Sequence, residues 1–180
     1  MKRTAAVIAL AASSILLLSA CNAGVNGNEN DKQETKTFAT AKDGAGVLPS
    51  WIPDGATDIK EVLRTTGSER IISMKNVKLP ASCQALPAGQ KPTPADDTDS
   101  NVKAADFVTD GATLKAAWWP NGTEQKAKSR CGKWWVTVDG DTTFAFSPEL
   151  KTVMKNINGG KKIGNSLELG LETQLEKLSE

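Results

Sequence analysis

Lys133–Ser147 reads KWWVTVDGDTTFAFS, and its interpretation decides the fold. Lys133 to Val138 and Thr142 to Ser147 are two β-rich runs flanking Asp139-Gly140-Asp141, a hairpin signal. Trp134, Val136 and Val138 alternate on the first run, and Phe144 and Phe146 on the second. A two-residue Asp-Gly loop would set Val136 opposite Thr143 and mix the two sets. An odd-length loop pairs even positions with even, so the spacing predicts a three- or five-residue connection with Gly140 at positive φ. Trp134 then belongs to the core face and Trp135 to the opposite one.

Working outward, Ala112 to Trp119 reads as another strand, stopped by Pro120-Asn121-Gly122. Neighbouring strand residues point to opposite faces. Trp118-Trp119 and Trp134-Trp135 each place one indole on either side of the sheet. Two arrangements of the second face stay open. Either C-terminal helices cover it, or Trp119 and Trp135 form an exposed aromatic patch for a partner or glycan.

Arg70-Ile71-Ile72-Ser73-Met74 is a strand, with Thr65-Thr66-Gly67-Ser68 as the break before it. Asp58 to Arg64 fits either a short helix capped by Asp58 and Glu61 or the first arm of a β-hairpin. The short turn and the following strand favour the hairpin. Pro49-Ser50-Trp51-Ile52-Pro53-Asp54-Gly55 is extended chain ending in a turn, with Trp51 at the edge of the core. Leu86 to Asn101 holds three prolines and three aspartates and is a loop on composition.

The period then changes. Ser147-Pro148-Glu149 reads as a helix start, followed by Leu150, Val153, Met154 and Ile157 at helical spacing and closed by Gly159-Gly160. A second helix is expected from Ser166 to Leu178, with Leu167, Leu171, Leu175 and Leu178 as its apolar stripe. The expected fold class is α+β: a small antiparallel sheet over 47–148 and a helical segment over 149–180.

The N-terminus is an address. Lys2 and Arg3 precede an uncharged run from Thr4 to Leu18, shorter than the roughly 20 apolar residues of a membrane span. This is the profile of a cleaved signal peptide over 1–20. Leu18-Ser19-Ala20-Cys21 resembles the lipobox of bacterial lipoproteins. The resemblance implies cleavage before Cys21, a diacylglyceryl group on its sulfur, and a protein anchored on the extracytoplasmic face of the cell membrane. Removing Lys2 and Arg3 from the 22 basic side chains leaves 20 against 21 acids. Electrostatic attraction to anionic lipid is therefore weak, and two acyl chains would supply the attachment. Asn22 to Gly46 is rich in Gly, Asn, Thr and charge, with Phe38 its only aromatic. Together with Cys21 it reads as a disordered tether over 21–46, reaching roughly 25–30 Å.

Three cysteines minus a lipidated Cys21 leave Cys83 and Cys131. In an oxidising compartment that even remainder predicts one structural disulfide. A redox pair would need a close C-x-x-C motif, which is absent. Trp51 to Ile59 (WIPDGATDI), Cys83, Trp118-Trp119-Pro120 and Cys131-Gly132-x-Trp134 together are similar to a group of actinobacterial secreted lipoproteins of no assigned activity. The resemblance spans about 47–148 and implies a compartment only.

The chain has no histidine, so a Ser-His-Asp triad, a Cys-His pair and a His-ligated metal are excluded. The near balance of charge argues against a nucleic-acid partner. Asp96-Asp97-Thr98-Asp99-Ser100-Asn101 begins like a calcium loop. Counted from Asp97, however, Val102 stands where the sharp turn needs glycine and Val108 where a bidentate glutamate belongs. A solvated acidic loop fits better, and no metal or other cofactor is expected. Asp106, Asp110, Asp139, Asp141 and Glu149 all lie at turns or caps, so no catalytic residue is assigned. The sequence points to a non-catalytic envelope module. An Asp/Glu-dependent hydrolase or transferase and a purely structural component are the alternatives.

Overall fold

The computed structural model describes residues 31–88, 92–97 and 100–159. Their architecture is one antiparallel sheet of seven strands: β1 (Gln33–Thr40), β2 (Thr57–Arg64), β3 (Arg70–Lys75), β4 (Gln84–Ala85), β5 (Ser129–Cys131), β6 (Trp134–Asp139) and β7 (Thr142–Ser147). Their spatial order is β1-β2-β3-β7-β6-β5-β4. The β2–β3 hairpin lies beside the β6–β7 hairpin, so β3 pairs with β7 across a long excursion of chain.

This corrects the α+β expectation. Among the described residues the one α-helix is α1, over 151–159. It starts later than Ser147-Pro148-Glu149 suggests, because residues 149 and 150 are still held to another segment. Glu149 O accepts the Val108 N–H at 2.8 Å, and Leu150 bridges to Phe107. The second helix, expected from Ser166 to Leu178, lies outside the described residues, as do Cys21 and the expected signal peptide.

The tether is corrected too. Gln33–Thr40, placed in the disordered segment, is an eight-residue strand in unbroken register with β2, from Gln33 opposite Arg64 to Thr40 opposite Thr57. A 3-10 turn follows at Ala41–Gly44. Thr35, Thr37 and Thr40 suit a pleated surface, and Phe38 packs against the buried core. The sheet domain therefore begins at β1 rather than at Val47.

The β6–β7 hairpin forms with Gly140 at φ +59°, but its register is not the expected one. Asp139 faces Thr142 across a two-residue Gly140-Asp141 loop, so Trp135 faces Phe146, Val136 faces Ala145 and Thr137 faces Phe144. Trp134 and Val136 thus share a face with Ala145, while Trp135 shares one with Phe144 and Phe146. The parity argument assumed one apolar face, whereas here both faces are buried.

The first face packs Ile59, Ile72, Met74, Trp134, Val136 and Ala145 under the 41–56 segment. The second packs Val62, Ile71, Trp135, Phe144 and Phe146 under Leu114, Trp119 and Ala127. The cover of the second face comes from the chain between β4 and β5, not from C-terminal helices. Residues 112–119, expected as a strand, are irregular. Side-chain carboxylates take the backbone donors that a neighbouring strand would otherwise satisfy: Ala112 N–H donates to Glu124 Oε1, and Thr113 and Leu114 N–H donate to Glu69 Oε1.

Candidate functional site

Trp119 and Trp135, the proposed aromatic patch, are 8% and 1% exposed. Trp119 meets Phe144 edge-on at 5.7 Å between ring centroids, and Trp135 meets Phe146 at 5.2 Å. Both indoles are core, so no exposed patch forms at these residues. The cause is the 112–127 segment, which brings Trp119 down onto the sheet face that carries Trp135.

Cys83 and Cys131 form a disulfide, as the cysteine count predicts. Cys131 sits at the end of β5 in the first-face core, and Cys83 precedes β4. The bond fixes the chain leaving β3 to the β5–β4 edge.

The acidic loop spends its carboxylates locally. Asp96 accepts the Ala104 N–H at 2.8 Å and pairs with Lys103 at 3.4 Å. The Ala104 N–H, with Lys103 assisting, holds its pKa below the usual aspartate value. Asp97 Oδ2 accepts from Ser100 Oγ at 2.7 Å and Lys133 Nζ at 2.8 Å. No cluster of ligating side chains able to hold a metal occurs among the described residues.

A buried ionic centre went unread in the sequence. Arg64, the last residue of β2, lies in the interior with Glu69 and Glu149. Its Nε donates to Glu149 Oε2 and its Nη2 to Glu69 Oε2, both at 2.9 Å, and its Nη1 pairs with Asp31. Glu149 also accepts from Ser68 N–H at 2.8 Å, Glu69 N–H at 3.2 Å and Leu150 N–H at 2.8 Å. Burial alone would lower the Arg64 pKa. Hydrogen bonds and attraction from Glu69 and Asp31 outweigh it and raise the value. Gly67 is required beside this centre, since a Cβ there would overlap the Glu149 carboxylate. Arg64 Nη2 also donates to Thr113 Oγ1 at 2.6 Å, so the β2–β3 turn, Asp31, Thr113 and Glu149 meet at one guanidinium, whose planar fork suits several acceptors at once. The signals were Arg64 on the same side of β2 as Val62 and an acid directly after Pro148. Both have ordinary local explanations.

The described surface is indented at the same end of the sheet. A cleft of about 550 Å³ opens between the β2–β3 turn, Asp97, Ser100, Lys133 and α1. Thr65, Thr66 and Ser68 give its rim hydroxyls, while Phe107, Leu150 and Val153 contribute apolar wall. Arg70 enters it with its guanidinium 5.4 Å from the Trp134 ring centroid and ion-paired to the buried Glu61. Burial pushes the Glu61 pKa up, beyond what the Arg70 charge and hydrogen bond restore. Among the described lining residues the one carboxylate is Asp97, already held by Lys133 and Ser100. The arrangement offers hydrogen bonds and apolar contact to a small ligand. Among the described lining residues no second acid faces Asp97.

Comparison with family models, curated proteins and solved structures returns no significant match for this chain.

Proposed function

We propose that the chain is a lipid-anchored protein of the extracytoplasmic membrane face, and that its sheet domain is a non-catalytic binding or accessory module. The anchor reading is supported by Leu18-Ser19-Ala20-Cys21 behind an uncharged h-region. The Cys83–Cys131 disulfide agrees with an oxidising compartment. The observation that carries the non-catalytic reading is the location of the carboxylates. Glu69 and Glu149 converge, but inside the fold around Arg64. The open cleft presents Asp97 alone among its described lining. Acid–base hydrolysis of glycosides needs two carboxyl groups facing a shared substrate.

With the aromatic patch removed, the cleft is the docking place. A photo-crosslinking residue at Thr66, on its rim, tests this in the full chain within its own envelope. Capture of an envelope component from Thr66, and none from Val138 at the opposite end of β6, is the expected result. Equal capture from both positions, or none from Thr66, contradicts the cleft.

A further inference from the structure

The two edges of the sheet are finished differently. β4 is two residues long, and Pro87 follows closely. β1 runs eight residues without proline, and no described strand lies beyond it. A strand edge presents unpaired backbone N–H and C=O groups. Proteins ordinarily shorten such an edge, bulge it, block it with proline or place charged side chains on it. The β4 edge is cut short, whereas β1 keeps its length and carries two charges of opposite sign, Glu34 and Lys36.

We infer that β1 is the seam at which two copies of this chain pair, antiparallel about a two-fold axis at Thr35, so that the sheet continues from one copy into the other. Among registers that pair residues within β1, Gln33–Thr40, the charges decide. Residues directly opposite in a sheet lie on one face. Two copies related by an axis normal to the sheet therefore pair only positions of equal parity. Glu34 and Lys36 share a face and are ion-paired within the strand at 3.5 Å. With Thr35 opposite itself, Glu34 of each copy meets Lys36 of the other, giving two opposite-charge pairs. An axis at Glu34 sets Glu34 against Glu34, and one at Lys36 sets Lys36 against Lys36. Like charges directly opposite destabilise a pairing. An axis at Thr37 sets Lys36 against Phe38 and Glu34 against Thr40, leaving every charge without a partner across the seam. Glu34 and Thr35 are exposed and Lys36 is half-buried, so this edge is open to a second copy.

The pairing is independent of the lipid anchor and of the cleft, and its test needs neither. Thr35→Cys is introduced into the full chain, oxidised in cells and run on a non-reducing gel, with the parent chain as background and Thr37→Cys as companion. Either class of opposing pair, with Cα atoms about 4.5 or 5.5 Å apart, is within disulfide reach. Thr35→Cys should give a reducible species of twice the mass. Glu34→Lys or Lys36→Glu alone should lower its yield severalfold, and the two together should restore it. A chain that stays monomeric, or a yield indifferent to the reversals, overturns the inference. A stronger cross-link from Thr37→Cys overturns the register.

Discussion

Trp135 on β6 stands directly opposite Phe146 on β7, their ring centroids 5.2 Å apart at 69°, with both side chains buried. One residue back, Trp134 is buried on the other face, 6.2 Å from Trp51. Adjacent tryptophans therefore anchor two separate cores on one strand.

Both tryptophans should be costly to truncate. Trp134→Ala and Trp135→Ala are each expected to lose about 3–5 kcal/mol, as for other large buried aromatics. Urea unfolding of the two variants measures this. A loss well under 1 kcal/mol for Trp135 would mean that its face is not packed.

Removing Arg64 leaves Glu69 and Glu149 buried without their counter-charge. Breaking a buried ion pair from one side costs about 3–5 kcal/mol, so Arg64→Ala should fold marginally. Arg64→Lys should recover only part of the loss, because an ammonium lacks the fork that reaches several carboxylates. Thermal unfolding compares the three. Near-parental stability for Arg64→Ala would show that the centre contributes little.

Stability should depend on pH through Glu61. Its pKa is raised in the fold from an ordinary 4.5, chiefly by burial. A group that binds its proton more tightly when folded contributes stability fully below its unfolded value and loses it as pH climbs through the folded one. Glu61→Gln should remove that decline on the alkaline side of 4.5. Asp141 runs the other way. Lys75 and Thr142 hydrogen bonds lower its pKa from 3.8, so its contribution is present above that value and lost as pH falls below it. Urea midpoints across this range, with and without Glu61→Gln, read the difference. Identical profiles would contradict the assignment.

The Cys83–Cys131 bond closes a separation of 48 residues. On chain-entropy grounds its loss should cost roughly 4 kcal/mol. Non-reducing peptide mapping should find the two peptides linked, and reduction should lower the urea midpoint. Free alkylation of both thiols in native protein would contradict the bond.

Much of the sheet was legible in the sequence. β2, β3, β6 and β7 stand where residue type and turn signals place them, and Gly140 takes the positive φ its turn requires. The β6–β7 register was not legible, because alternation reports a face only when one face is wet. Residues 134–137 and 143–147 are buried on both sides, so parity distinguishes nothing there. β1 was hidden for the opposite reason: as an edge strand it is mostly exposed and reads as a polar tether. Residues 112–119 carry strand-like composition, but Glu69 and Glu124 hold the backbone donors of 112–114. The Glu69 contacts lie 44 and 45 positions away and that of Glu124 twelve, so neither leaves a local mark in the pattern of 112–119. The ionic centre is invisible for the same reason, since Arg64 and Glu69 share the β2–β3 hairpin but meet Thr113 and Glu149 only through the tertiary fold.

The central claim is a cleaved and lipidated N-terminus, and intact mass analysis of the mature protein from membranes tests it most directly. The account predicts a chain beginning at Cys21, lacking residues 1–20 and heavier than its sequence by a diacylglyceryl group, with Cys21→Ala abolishing both changes. A chain that keeps Met1 to Ala20, or one beginning at an unmodified Cys21, would contradict it.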